Sequence, residues 1–324
     1  MDQNQVIRSF LREELNLFDI YLRESIKNNN PRISEIVNYV FNASGKQLRP
    51  ILVFLAAKAC GRILPETYHG AVTVELLHTA TLMHDDVIDE SDMRRGKRSV
   101  NAVYDNTKAV LAGDYLLSSS LAESVKTNNL DVVRIISELG KKLAEGELIQ
   151  FSLAREVVID ECSYFEVIEN KTASLLSAST AIGAITGGAS PEVLSGFVRL
   201  GRILGICFQI RDDIFDYYKA DVGKPTGNDI REGKITLPLI HALQTAPEEI
   251  SERILRIIRM REYSERNIRC VFDFAKEYHG VEYAGSKIRE LQGEAETVIS
   301  ELAIDDRIKN LLRHLSVYLN DRDR

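Results

Sequence analysis

Tryptophan is absent from the 324-residue chain, proline occurs only 7 times, and the four cysteines, Cys60, Cys162, Cys207 and Cys270, form neither a CxxC pair nor a zinc-type spacing. Scattered cysteines argue against a disulfide framework and point to a reducing, cytoplasmic compartment. Long apolar runs are missing too: the longest clean stretch, residues 51–57, falls far short of the ~20 residues a membrane span needs. The opening Met1-Asp2-Gln3-Asn4-Gln5 carries neither the basic nor the apolar region of a secretory signal. Positive charge is in deficit, 41 Lys+Arg against 48 Asp+Glu for a net charge of −7, which gives no support for a nucleic-acid-binding surface. Any anionic substrate must therefore be held by local cations or by metal, against the field of the whole chain.

What the chain does have is helical periodicity almost throughout, as in Val72, Leu76, Leu77, Ala80 and Met83. No alternating strand pattern with hairpin turns stands out. Breaks fall at Asn28-Asn29-Asn30-Pro31, Leu64-Pro65, Asn128-Asn129, Gly187-Gly188-Ala189-Ser190-Pro191, and across residues 221–234. The segments between them are long, and several carry little charge on one face. The pattern predicts an all-α chain, a single domain over residues 1–324 in which a many-helix bundle buries some of its helices.

Two aspartate clusters of one form, Asp85-Asp86-Val87-Ile88-Asp89 and Asp212-Asp213-Ile214-Phe215-Asp216, each follow an apolar helical run. On a helix the first and fifth members share a face one turn apart, with the second rotated by about 100°. Such carboxylates suit Mg²⁺, which prefers oxygen ligands, keeps several waters and takes one or two carboxylates plus substrate phosphates. One cluster alone could be a solvated helix face. Two after such apolar runs point to metal-held polyphosphate.

Around the first cluster the chain reads His78-Thr79-Ala80-Thr81-Leu82-Met83-His84 before it and Glu90-Ser91-Asp92-Met93-Arg94-Arg95-Gly96 after it. Cys207-Phe208-Gln209-Ile210-Arg211 precedes the second, and Lys224 and Gly227-Asn228-Asp229-Ile230-Arg231-Glu232-Gly233-Lys234 follow. With Gly45-Lys46-Gln47-Leu48-Arg49-Pro50 upstream and Lys171-Thr172-Ala173 between, the chain resembles the trans-isoprenyl diphosphate synthases, or polyprenyl synthetases, over roughly residues 30 to 324. Five motifs stand in the family's order. One departure is Ser44-Gly45 where a paired glycine is usual, and another is Gln47 where a basic residue is usual.

The resemblance implies the isoprenoid synthase fold, a helical bundle around a central active-site cavity. It also implies head-to-tail condensation of isopentenyl diphosphate onto an allylic diphosphate, with three Mg²⁺ ions when substrate is bound. By the same resemblance Asp85, Asp89 and Asp212 are the principal metal ligands, with Asp86, Asp213 and Asp216 close by. Arg94, Lys171, Lys224 and Lys234 hold the allylic diphosphate, while Lys46, Arg49, His78 and Arg95 hold isopentenyl diphosphate without metal. Thr172 and Gln209 present oxygens to the allylic cation, and the released pyrophosphate takes the proton. A homodimer is expected, with transient membrane contact at most. His78 depends wholly on its motif position, because a lone histidine on an apolar helix is commonly a satisfied core group; His84 is read as structural.

Product length has a geometric side. Family members that stop early carry a bulky aromatic four or five residues before the first aspartate, where this chain has Thr81 and Ala80; Leu77, Leu76, Val74 and Thr73 are not aromatic either. The first aromatic met is Tyr68, which a helical rise places roughly 25 Å from Asp85. A product of about C30 to C50 is expected, with Phe151 one candidate for the tunnel floor. The ending Asn320-Asp321-Arg322-Asp323-Arg324 and residues 87–96 are most similar to octaprenyl-type bacterial enzymes, whose product would become a respiratory quinone side chain.

Three rival readings share some of these residues. A helical terpene cyclase normally has a single DDxxD and needs no isopentenyl pocket. A di-iron bundle is suggested by the ExxH pairs Glu66/His69 and Glu75/His78, which lie too close together to come from separate long helices. A regulatory subunit of a two-chain synthase normally lacks the aspartate motifs, although a catalytic chain that needs a partner is compatible with them.

Overall fold

The computed structural model describes residues 3–42, 45, 47–94, 96–157, 159–218 and 227–320. Six of the seven prolines explain how the chain is cut into helices. Pro31, Pro65 and Pro191 are first residues of helices, Pro50 and Pro238 lie in first turns, and Pro247 is an N-cap. Proline is tolerated there because the first amide groups of a helix have no intrahelical partner. Side-chain caps mark other starts: Asn30 accepts from Arg32 N at 3.0 Å, Asp105 from Lys108 N at 2.8 Å and Asp160 from Ser163 N at 2.7 Å. Each such cap contributes about 1 kcal/mol.

The chain forms two compact units interleaved in sequence. Residues 1–141, 175–201 and 298–315 make the first, and 142–174, 202–297 and 316–324 the second. In chain order the helices are α1 (Gln3–Phe10), α2 (Arg12–Ser25), α3 (Pro31–Phe41), α4 (Leu48–Cys60), α5 (Pro65–Ile88), α6 (Val100–Val103), α7 (Asn106–Val125), α8 (Leu130–Glu156), α9 (Glu161–Ile168), α10 (Ser174–Gly187), α11 (Pro191–Asp216), α12 (Asn228–Arg231), α13 (Leu237–Thr245), α14 (Glu248–Arg259), α15 (Glu265–Glu277), α16 (Gly280–Glu301) and α17 (Asp306–Asn320). The all-α expectation is met, with one exception. A hairpin of two-residue strands, β1 (Met93–Arg94) and β2 (Lys97–Arg98), follows the first aspartate cluster. Strands this short carry no alternation for a sequence pattern to reveal; the turn uses Gly96 at φ 77°.

In the first unit α5 is the central helix. Val72, Val74, Leu76, Leu77 and Ala80 on several of its faces are 0–1% exposed, which an amphipathic surface helix could not be. It packs against α2, α4 and α7. Small residues bring α10 close to α4: a Cβ on Gly183 would stand 2.1 Å from the Val53 carbonyl oxygen. In the second unit α14 and α15 are amphipathic covers, α14 burying Ile254, Leu255 and Ile258 beneath a charged outer face. Among the described residues α11 is the one helix long and apolar enough to cross a membrane, yet half of that stretch is buried inside the protein and its end carries Asp212, Asp213 and Asp216.

Candidate active site

Both aspartate clusters end a helix. Asp85 lies in the last turn of α5, and Asp89 caps it, its amide donating to the Asp85 carbonyl at 2.8 Å. In α11 the last residue is Asp216, and tighter bonds from Tyr217 N to Ile214 O (3.1 Å) and from Tyr218 N to Phe215 O (3.2 Å) close the helix. The C-terminus of a helix carries partial negative charge, so grouped carboxylates there are mutually unfavourable until a cation arrives.

In the first cluster Asp86 is the buried member, 3% exposed. Arg94, from β1, donates its Nε to Asp86 Oδ1 at 2.8 Å, with a second guanidinium nitrogen on the same oxygen. Burial still pushes the Asp86 carboxyl up, partly offset by Arg94. The loop is pinned by Ser99, whose hydroxyl donates to Ser91 O at 2.6 Å, and by Asn101, whose amide reaches Asp86 O at 3.2 Å. Asp85 and Asp89 are half-buried.

In the second cluster Asp212 is exposed, while Asp213 and Asp216 are buried. Asp213 accepts two hydrogen bonds, from the Tyr164 hydroxyl at 2.6 Å and from Gln209 Nε2 at 2.8 Å. Gln209 Oε1 in turn accepts from the Thr172 hydroxyl at 2.7 Å. Burial first, and then the neighbouring Asp212 charge, push the Asp213 carboxyl up to about 7 against the pull of these donors and of Lys234. Lys171 pairs with Glu147 at 2.5 Å, Lys234 pairs with Glu232, and Asp216 Oδ1 accepts from Gly227 N at 3.3 Å. Tyr164, Gln209, Asp213 and Lys234 line a cavity of about 70 Å³.

Lys171 and Thr172 sit in a single π turn, Glu169–Ala173, a distortion frequent at functional sites. Glycines on two helices admit it. A Cβ on Gly205 of α11 would lie 2.4 Å from Ala173 Cα, and one on Gly146 of α8 would lie 2.9 Å from the Asn170 side chain and 3.1 Å from Lys171 N. Neither the turn nor Tyr164 and Glu147 is signalled by the local sequence. The two glycines are the trace that could have been followed.

Lys46, Arg95 and Lys224 lie outside the described residues. Arg49 is half-buried in the first turn of α4, and His78 is 8% exposed. Gly45 and Gln47 line a cavity of about 320 Å³ with Asp19, Arg23, Glu75 and Thr79. Gln47, at φ 51°, ties the start of α4 to α2 through a 2.8 Å bond from its Nε2 to Asp19. Ala80 and Leu77 are each 1% exposed, and Thr81 donates to the His78 carbonyl at 2.9 Å. Tyr68 stacks on Tyr21 with ring centroids 4.9 Å apart and lies 5.3 Å from the Phe54 ring. Phe151 is 53% exposed, with Arg155 over its ring at 5.6 Å. His84 packs against α7, its Nε2 3.3 Å from Val110 O. His69 of the first ExxH pair bonds Glu123 at 2.7 Å.

Among the described residues no three His, Cys, Asp or Glu side chains are gathered into a ready metal cage. The donor set still fits Mg²⁺: hard carboxylate oxygens on helix ends, Asp85 and Asp89 half-buried and Asp212 exposed, suit an ion that takes one or two carboxylates and completes its shell with water and phosphate.

The chain matches the polyprenyl synthetase family over residues 30–274. It is 38% identical to octaprenyl diphosphate synthase of Escherichia coli over 240 residues, 71% of this chain and 72% of that one. A decaprenyl diphosphate synthase from Rhodobacter capsulatus superposes with a TM-score of 0.93 at 35% identity, covering 99% of each chain. A geranylgeranyl pyrophosphate synthase from Bacteroides thetaiotaomicron superposes with a TM-score of 0.86 at 36% identity, covering 99% of this chain and 100% of that one.

Proposed function

The chain belongs to the polyprenyl synthetase family and is a prenyltransferase, and from that premise we propose that it is a long-chain trans-prenyl diphosphate synthase. The enzyme extends an allylic diphosphate, farnesyl diphosphate as primer, by repeated 1'-4 condensation with isopentenyl diphosphate. The product is about C30 to C50, octaprenyl-like, and serves as a respiratory quinone side chain. The observation that carries the reading is the pair of aspartate clusters on helix ends, with Lys171 and Thr172 held in a π turn beside Gln209.

In each cycle the allylic carbon–oxygen bond breaks and its electrons leave with pyrophosphate. The isopentenyl double bond then attacks the allylic carbon, a new carbon–carbon bond forms, and a proton passes from isopentenyl C2 to pyrophosphate. Charge separation is the difficult part, and fixed charges and dipoles dominate its stabilisation. Asp85, Asp89 and Asp212 would hold Mg²⁺, three ions with substrate bound, which would neutralise charge on the leaving diphosphate. Arg94, Lys171, Lys224 and Lys234 orient the allylic diphosphate. Lys46, Arg49, His78 and Arg95 hold isopentenyl diphosphate by charge and hydrogen bonding alone. Arg94 and Lys171 already hold carboxylates, Asp86 and Glu147, so a diphosphate exchanges one anionic partner for another instead of entering an unbalanced basic site.

The lack of a bulky aromatic at Ala80 and Thr81 supports the long product. A short-chain reading is favoured by another observation: Leu77 and Ala80 are 1% exposed and Val74 is fully buried, so a long chain must displace packed side chains. Identity does not choose between them, since the decaprenyl and geranylgeranyl enzymes stand at 35% and 36%. A homodimer is supported by the apolar outer face of α7, where Leu111, Leu121 and Val125 are 62%, 42% and 63% exposed. Residues 1–324 are proposed to act as one cytoplasmic polyprenyl synthetase domain, because each unit draws on three separate stretches of chain. The test incubates purified protein with Mg²⁺, farnesyl diphosphate and labelled isopentenyl diphosphate and resolves products by length. C30–C50 material is expected; C15 or C20 establishes the short-chain alternative, and no incorporation by the protein alone refutes a self-sufficient enzyme.

A further inference from the structure

Hydrogen bonds join Tyr164, Asp213, Gln209 and Thr172 into one chain, with lengths of 2.6, 2.8 and 2.7 Å in that order. Its direction follows from which groups can donate. A carboxylate only accepts, so Asp213 takes the amide NH₂ of Gln209 and turns the amide oxygen the other way. That oxygen can only accept, so it takes the Thr172 hydroxyl proton. The Thr172 oxygen is then left with lone pairs alone to offer anything further. If a donor stood at Asp213, the amide would turn over and the Thr172 hydrogen would be freed to point outward. The two arrangements put opposite charge at the same place.

We propose that Asp213 sets the direction of this chain instead of binding metal, and that Tyr164 is its positioning partner. The result is an electron-rich hydroxyl oxygen at Thr172 that stabilises positive charge on the allylic carbon. The inference rests on the prenyl synthase reading. Four further observations support it. Asp213 is 3% exposed and Tyr164 7% exposed, whereas the adjacent Asp212 is exposed. Gln209 and Asp213 stand one turn apart on α11, so a rigid helix fixes their bond. Thr172 is fixed from the other side by the π turn against Gly146 and Gly205. Burial and the Asp213 charge also raise the Tyr164 phenol far above its ordinary range, which keeps it a donor. A hydroxyl aimed this way stabilises a carbocation without being activated to trap it, since no base takes its proton.

The experiment uses the full-length protein labelled with ¹⁵N-glutamine at pH 8.5, in wild type, Tyr164→Phe and Asp213→Asn, with Gln209→Leu to assign the resonance. The Gln209 side-chain amide is expected downfield and slow to exchange in wild type and at an ordinary amide position in Asp213→Asn. In steady-state assays kcat is expected to fall about a hundredfold for Asp213→Asn and about tenfold for Tyr164→Phe, with KM for both diphosphates within about twofold of wild type. A Gln209 amide unmoved by Asp213→Asn overturns the proposal, as does an unchanged kcat or a loss confined to KM. Failure of wild type to turn over isopentenyl diphosphate would refute the functional reading, while the amide resonance would still decide the direction of the chain. If Tyr164→Phe does not fold, Asp213→Asn carries the test.

Discussion

The two aspartate clusters share a pattern, and in both the second aspartate is 3% exposed. They compensate that buried charge by opposite means. Asp86 is met by a full cation, the Arg94 guanidinium, itself 38% exposed and carried on a short hairpin. Asp213 is met chiefly by neutral dipoles, a buried phenol and an amide, both carried on helices, with Lys234 a weaker influence. The Arg94 guanidinium stands on a two-residue strand and is partly exposed, whereas the Asp213 hydrogen-bond chain runs between side chains of α9, α11 and the π turn. One motif thus meets a buried carboxylate with a partly exposed cation in the first unit and with hydrogen-bonding side chains in the second. Local sequence sets where the carboxylates stand, and the surroundings set what they do.

Removing an outward carboxylate from either cluster breaks the comparison most severely. Asp85→Ala and Asp212→Ala are each expected to lower the condensation rate by about 10³-fold or more while the fold is kept, because the leaving group loses a metal contact; loss of the far-ultraviolet helical signal would instead indicate a structural role. Next comes the π turn. Gly205→Ala places a methyl 2.4 Å from Ala173 Cα, and a displacement near 1 Å at Thr172 costs about 10²-fold in kcat, with about 1–3 kcal/mol lost in stability from overpacking. Turnover close to wild type would show that the turn does not position Thr172.

Ala80→Phe inserts an aromatic at a site 1% exposed beneath the first cluster. Shorter products with turnover retained are expected by chromatography, and an unchanged length distribution removes Ala80 from the tunnel wall. Arg94→Gln should be milder. It leaves Asp86 buried with a weaker partner, but because Arg94 is 38% exposed the ion pair is screened, and about 1 kcal/mol is expected. That corresponds to roughly 2–4 °C in Tm, with a larger effect on KM for the allylic substrate. The smallest effect is that of pH on the metal-free protein. The Asp213 carboxyl is raised from 3.8 to about 7 in the folded state, so the folded protein holds a proton that the unfolded chain gives up. Its contribution to stability is present below pH 3.8 and is lost as pH rises through about 7. In EDTA the Tm of Asp213→Asn relative to wild type should therefore climb across that window and level above it; a flat difference would contradict the assignment.

Much of this was legible in the residues. Pro31, Pro65 and Pro191 placed three helix starts, and the aspartate cluster after an apolar run placed Asp85 and Asp89 at the end of α5. What was hidden was long-range or too short to have a period. Tyr164 reaches Asp213 across 49 residues and Lys171 meets Glu147 from another helix, pairings no local pattern encodes. The hairpin that carries Arg94 has two residues per strand, below the length at which alternation is visible. The exposed Phe151 shows the same limit: an aromatic on a helix says nothing by itself about which way it faces.

The most direct measurement is a magnesium titration of the initial condensation rate for Asp212→Asn beside Asp213→Asn. These carboxylates are adjacent in sequence and opposite in exposure. Asp212→Asn is expected to raise the Mg²⁺ concentration for half-maximal rate by about tenfold or more. Asp213→Asn should leave that concentration unchanged while lowering the rate at saturation. An equal shift in both, or a shift in Asp213→Asn alone, would contradict the division between carboxylates that hold metal and carboxylates that hold the protein.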